Sequence, residues 1–143
     1  ANTGWFGRVN PFAFDIRTLD YADGARRFDT GTPPYINAAA AGAGMALLNT
    51  LDMAQVEAYI EHLSGVALAQ AARHGLPIAS PLDPRRKGSN TAIRVNDSAS
   101  VERRMAEAGY IVSARGALIR IAPHFYNTEQ DVAGAVAALA RIV

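Results

Sequence analysis

The chain has 143 residues, half of them hydrophobic and 19% charged, which suits a packed core and either one domain or one domain with a connecting piece. A net charge of +1 gives no argument for a nucleic-acid face, and the single basic run, Arg85-Arg86-Lys87 between Pro84 and Gly88, reads as a solvated loop. The absence of cysteine excludes disulfides, thiolate metal sites and thiol nucleophiles.

Along the chain, residues 1–34 hold many breakers (Gly4, Gly7, Pro11, Gly24, Gly31, Pro33 and Pro34) and read as irregular chain with at most one short strand. The opening Ala1-Asn2-Thr3-Gly4-Trp5 has neither the basic stretch nor the apolar core of a signal peptide, and it reads as a cut through a longer protein. Pro34 suits the first turn of a helix reaching Asn49, whose small residues (Ala38 to Ala41, Gly42, Ala43, Gly44) fit close packing. Its apolar run is too short for a bilayer, so a cytoplasmic protein with no membrane association is expected. A second helix is predicted over 52–74. Asp52 and Gln55 open it, Met53, Val56, Ile60, Leu63 and Ala67 form its apolar stripe, and Gly75 and Pro77 stop it.

The pattern then alternates: a strand over 91–95, a helix over 98–108 ended by Gly109, and strands over 110–114 and 117–122 around Arg115-Gly116. Thr128-Glu129-Gln130-Asp131 is a capping box for a last helix with Val132, Val136, Leu139 and Ile142 or Val143 inward. The predicted fold is α+β, a small antiparallel or mixed sheet in the order β-α-β-β-α with helices on one face. Two helices and an irregular N-terminal segment precede it.

Arg120 lies within the apolar stretch Ala117-Leu118-Ile119-Arg120-Ile121-Ala122, so its guanidinium is expected to be at least partly buried. A buried charge needs a partner. That partner is either an Asp or Glu of this chain, in a structural salt bridge, or a ligand carboxylate held by the planar fork. Arg115 alone reads as a turn residue and His124 as a surface or capping histidine. His62 and His74 on the long helix show no partner pattern, and the three histidines lack metal-ligand spacing, so no metal site is expected. Thr30-Gly31-Thr32-Pro33-Pro34 before a helix is a weak anion-binding signal. Trp5 between glycines is expected to be buried with its N–H bonded.

Taken together these residues resemble the class V aminotransferase family of fold type I pyridoxal-phosphate (PLP) enzymes, with kynureninase-like motifs. The resemblance rests on Gly4-Trp5-Phe6-Gly7 with Pro11-Phe12-Ala13-Phe14, on Arg27-Phe28-Asp29-Thr30-Gly31-Thr32-Pro33-Pro34, and on Arg86-Lys87-Gly88-Ser89-Asn90. It closes with Arg115 followed by Ile119-Arg120-Ile121-Ala122-Pro123-His124-Phe125-Tyr126-Asn127-Thr128. The matches run in order over the whole chain.

The resemblance implies a homodimer with its active site at the subunit interface. Trp5 would donate its indole N–H to the cofactor phosphate, and Thr32 would reach the phosphate, or the substrate beside it, of the opposite subunit. Arg120 would hold the amino-acid α-carboxylate, with Arg115 in support. It also implies that residues 1–50 are the tail of the large PLP-binding domain, 51–74 a connecting helix and 75–143 the small C-terminal domain.

The chain departs from the family in three respects. Its only lysine, Lys87, does not match the PLP-binding position, so no catalytic residue is assigned and no covalently bound cofactor or turnover is expected of these residues alone. Gly116 to Ile119 is a short separation between the two arginines, and no cysteine is present, which argues against a cysteine desulfurase. The family's histidine after Arg-Gly-Ser is Asn90 here. The functional expectation is the C-terminal part of a PLP enzyme acting on an amino acid, by kynureninase-like hydrolysis or by transamination. The alternative is a non-catalytic α+β protein-interaction domain.

Overall fold

The computed structural model describes residues 4–15 and 17–143, and the chain divides into two compact units, Ala1–Thr50 and Leu51–Val143.

In the first unit, three short 3-10 turns, Trp5–Gly7, Pro11–Ala13 and Gly24–Phe28, precede helix α1, Tyr35–Leu48. Among the described residues no strand forms here. An isolated antiparallel bridge joins Arg8 and Tyr21, flanked by Ala22 N–H to the Gly7 carbonyl at 2.8 Å. The Arg8 guanidinium clasps this loop by donating to the Asp20 carboxylate at 2.6 Å, to the Thr18 carbonyl at 2.6 Å and to the Asp15 carbonyl. Pro34 occupies the N-cap, one position earlier than expected, so α1 starts at Tyr35 without a side-chain cap. No residue of α1 is buried.

The second unit opens with helix α2, Met53–Arg73. The Asp52 carboxylate accepts from the backbone N–H groups of Ala54 and Gln55 at 3.0 and 3.3 Å, the ordinary way to satisfy a helix's orphan donors. The Gln55 side chain donates to that same carboxylate at 3.1 Å instead of closing a reciprocal box. The expected stripe holds only in its C-terminal half. Leu63 and Ala67 are buried with Leu68 and Ala71, whereas Met53 is 60% exposed and Val56 and Ile60 are half-buried. Gly75 ends the helix at φ +67°, a left-handed cap that glycine adopts without steric cost.

Strand β1, Thr91–Arg94, helix α3, Ser98–Glu107, strands β2, Ser113–Arg115, and β3, Leu118–Ile121, and helix α4, Glu129–Ile142, complete the unit. The sheet order is β1-β3-β2 and both pairings are antiparallel. Asp97 caps α3 through Ser100 N–H at 3.0 Å. Thr128 and Asp131 cap α4 reciprocally, at 3.1 and 2.8 Å. Strand β2 lies further along the chain than the predicted 110–114, because Tyr110 packs towards α4. A Cβ at Gly134 would strike the Tyr110 hydroxyl, so glycine there makes room for the ring. Ile93, Met105, Ile119, Val136 and Leu139 have no exposed surface. Full burial of such side chains is worth about 1.5–3 kcal/mol each, against about 1 kcal/mol for a helix cap, so the layer is held by its core. Leu63 and Ala67 of α2 pack with Val132 of α4, and the helices cover a single face of the sheet.

Candidate functional site

The β2–β3 hairpin carries both arginines singled out by the sequence. Its two-residue turn is Gly116-Ala117, with Gly116 at φ +56°, a conformation that hairpin turns reserve for glycine. Arg115 is therefore the last residue of β2 and not part of the turn. In register, Arg120 faces Ser113 on β2 and Ala92 on β1, while Leu118 faces Arg115 on one side and Arg94 on the other. Residues directly opposite share a sheet face, and so do residues two apart. Thr91, Ile93, Ile119 and Ile121 are all buried on the helix side. Ala92, Arg94, Leu118, Arg120, Ser113 and Arg115 fall on the other side.

Arg94 and Arg115 are exposed and Arg120 is half-buried. Among the described residues, none of the three forms an ion pair. The Arg115 guanidinium donates to the Ala114 carbonyl at 3.0 Å. The salt bridge to an acid of this chain, the ordinary explanation for a half-buried Arg120, is thus not present among the described residues. Sequence reasoning missed Arg94, although the alternation Thr91-Ala92-Ile93-Arg94 already placed it opposite the core.

In the first unit, Trp5 and the stretch before Thr32 come together. Gly4 N–H donates to the Asp29 carbonyl at 3.2 Å, and a Cβ at Gly4 would collide with the Thr30 carbonyl, so only glycine allows this approach. The Trp5 Nε1 atom lies 3.8 Å from where a Gly31 Cβ would stand, one residue before Thr32. Trp5 is not buried as expected. It is 39% exposed, stacks on Phe14 with centroids 5.8 Å apart, and meets the edges of Phe6 and Phe12 at 4.7 and 5.5 Å. Neither its indole N–H nor the exposed Thr32 hydroxyl bonds to a described residue, which leaves both as donors suited to a phosphate. The residues present therefore fit the phosphate end of the cofactor that the resemblance implies.

Lys87 departs from its reading as a solvated loop residue. Its three ammonium N–H groups are shared among four oxygens, the hydroxyls of Ser64 and Thr91, the latter at 3.0 Å, and the carbonyls of Asn90 and Gly88 at 3.2 and 3.3 Å. Among the described residues, Ser64 and Thr91 are the two buried polar ones. Among the described residues no carboxylate pairs with Lys87, and burial lowers its pKa below the usual lysine value. The beginning of this tether was visible as Thr91 at a strand start and Ser64 beside Leu63 on the inward face of a helix. Nothing in the sequence joined the two.

His62 also has a partner, contrary to expectation: its Nε2 lies 2.8 Å from Glu129 Oε1. The Tyr59 hydroxyl donates to the Asn127 carbonyl at 3.0 Å, so α2 grips the entry to α4 at two points. His124 stacks on Tyr126 at 4.8 Å, and its backbone N–H donates to the Asn127 side chain at 2.9 Å. Among the described residues no group of three or more His, Asp or Glu converges as a metal site would require, and no helix is long and apolar enough to cross a membrane.

Residues 53–139 match the family model of the kynureninase C-terminal domain. An uncharacterized aminotransferase of Bacillus subtilis (strain 168), YcbU, is 33% identical over 134 residues, covering 94% of this chain and 35% of the relative. A kynureninase of Deinococcus radiodurans is 26% identical over 147 residues, covering 99% of this chain and 36% of the relative. The chain therefore spans about a third of the length of these relatives. Among solved structures, the cysteine desulfurase CsdA from Escherichia coli superposes with a TM-score of 0.77 at 19% identity, covering 90% of this chain and 35% of that one. At that identity the likeness is one of fold.

Proposed function

The chain belongs to the kynureninase C-terminal domain family, and from that membership we propose that it is the C-terminal part of a PLP-dependent fold type I enzyme of the class V aminotransferase family, acting on an amino acid. The single observation that carries the reading is Arg120. It sits half-buried in the central strand of a small sheet, beside Ser113, and has no acid of this chain to neutralise it among the described residues. A planar guanidinium in that setting is suited to take an α-carboxylate through two parallel N–H donors.

On this reading Arg120 binds and orients the substrate, and Arg115, on the same face, supports it electrostatically. Trp5 donates its indole N–H to the cofactor phosphate, and Thr32 adds its hydroxyl to the phosphate, or to the substrate beside it, of the opposite subunit of a homodimer. Pyridoxal phosphate, when bound, supplies the electron sink for bond cleavage at the amino-acid carbon. Lys87, with its ammonium committed to four oxygens, is not the cofactor lysine. That residue would come from the part of the enzyme that these 143 residues do not span. Residues 1–50 then belong to the large domain, 51–74 to a connecting helix and 75–143 to the small domain of a soluble, cytoplasmic enzyme. The reaction is a kynureninase-like hydrolysis or a transamination. The short Arg115–Arg120 hairpin without cysteine speaks against a desulfurase.

The test uses the complete enzyme that contains this chain, in wild-type form and with Trp5→Phe or Arg120→Lys. Retention of PLP through ultrafiltration and turnover of an amino acid are expected. Trp5→Phe should weaken cofactor retention, and Arg120→Lys should raise KM. An enzyme that neither retains the cofactor nor turns over any amino acid would remove the proposal.

A further inference from the structure

Three arginines occupy positions on the sheet face opposite the helices, and capture of one α-carboxylate uses one of them. Arg94 and Arg115 both oppose Leu118, on its two sides, and Arg120 is two residues beyond Leu118 on the same strand. Arg120 is thus the diagonal neighbour of both. Such diagonals measure about 7–8 Å between backbones and lie within reach of long side chains.

The residues between them are apolar or small. Leu118 forms an apolar floor between Arg94 and Arg115, and the small Ala92 and Ser113 flank Arg120. No Asp or Glu lies on these strand positions. Elsewhere in the chain exposed arginines have found acids, as in Arg17 with Asp15 and Arg85 with Asp83, each at 3.2 Å. Three like charges at this spacing repel one another, and an anion in their midst reverses the sign of the interaction.

We infer that Arg94, Arg115 and Arg120 form a single anion-recognising face for a doubly acidic amino acid, Arg120 taking the α-carboxylate and Arg94 with Arg115 a second anionic group on the side chain. This rests on the reading of Arg120 given above and adds the substrate class. The second group is a carboxylate or a phosphate, and both fit the forked donors. Arg94 is the specificity-determining residue, because a neutral side chain leaves its charge without a counterpart.

The experiment is a titration of the 143-residue chain, labelled for detection of arginine Nε–H signals, with L-alanine, L-aspartate and O-phospho-L-serine. The variants are Arg94→Gln, Arg120→Gln and, as a control on helix α3, Arg103→Gln. Retained amide spectra establish that each variant is folded. Both diacids are expected to bind at least about tenfold more tightly than L-alanine, as one added charge-assisted contact allows, and to shift the signals of all three arginines. Arg94→Gln should bring the diacids down to the level of L-alanine, Arg120→Gln should weaken all three ligands, and Arg103→Gln should change little. The ratio of aspartate to phosphoserine affinity identifies the second group as carboxylate or phosphate. Equal affinity for L-alanine and the diacids, with Arg120 still responding, would overturn this inference and leave the Arg120 reading intact. Absence of any response at Arg120 would overturn both. Equal losses from Arg94→Gln and Arg103→Gln would reduce the effect to unspecific charge and overturn the inference alone.

Discussion

The Lys87 ammonium donates to the Thr91 hydroxyl at 3.0 Å, across the four residues that lead from a charged loop into the first strand. Together with Ser64 this makes a small polar knot between α2 and β1, held by a cation that pairs with no carboxylate among the described residues. Because Lys87 is the only lysine, its titration can be followed directly. Burial disfavours the charged form, so the midpoint is expected below the value of about 10.4 for an unperturbed lysine. The folded-state value is lowered, so between the two midpoints the unfolded chain binds more protons. Stability should then rise with pH through that window. A midpoint at or above the free value in an NMR titration of the lysine ε-carbon would contradict the burial.

Replacing this lysine should be costly despite its loop position. Lys87→Ala removes the donor shared by Ser64 and Thr91, both essentially without exposed surface. Leaving a buried polar group without its partner costs about 1–3 kcal/mol. Denaturant unfolding is expected to show a loss of that order with an unchanged slope. A stability equal to that of the unaltered chain would return Lys87 to the solvated class.

The same geometry bears on cofactor chemistry. A lysine with a lowered pKa is a better nucleophile, yet here the nitrogen is committed to four oxygens. Incubation of the chain with PLP, borohydride reduction and mass analysis should show no stoichiometric adduct at Lys87 and no turnover of amino acids. A full adduct at that position would reverse the assignment.

In the complete enzyme, Arg120→Lys should act on substrate and not on folding. Lysine keeps the charge but loses the second parallel donor, a charge-assisted hydrogen bond worth about 1.5–3 kcal/mol. That corresponds to roughly a 10- to 150-fold rise in KM for the amino acid. The melting temperature should hardly move, since no acid pairs with Arg120 among the described residues. A large stability loss with unchanged kinetics would make Arg120 structural.

Gly4 is a tightly constrained position of the first unit. Gly4→Ala places a methyl group against the Thr30 carbonyl and must push the 4–7 turn off the 29–31 stretch. Trp5 is the only tryptophan, so its fluorescence reports the change. The emission maximum is expected to move to the red as the indole leaves Phe6, Phe12 and Phe14. An unchanged spectrum would mean that the approach of Gly4 to Thr30 is not what seats the indole.

Much of the architecture was legible because it depends on neighbours in the chain. Asp52, Asp97 and Thr128 cap their helices through backbone donors two or three residues away. Gly75 and Gly109 end theirs by reaching positive φ. The alternation Leu118-Ile119-Arg120-Ile121 assigns opposite sheet faces without knowledge of any partner strand. Arg120 could therefore be singled out from the sequence, and so could the β-α-β-β-α order.

What the sequence left open are relationships between distant segments. Whether Arg120 meets an acid depends on which strands flank it, and the order β1-β3-β2 surrounds it with Ala92 and Ser113. The same order brings Arg94, from a strand more than twenty residues away, onto its face. Lys87 looked solvated because its immediate neighbours are charged, and it is tethered because Ser64 arrives from α2. His62 gained Glu129 across 67 positions, and Gly4 gained its necessity from Thr30. Local preferences are written within a turn or two of each residue. Ion pairs, desolvation and close approaches arise between surfaces that meet only once the helices are packed on the sheet and the loops are closed.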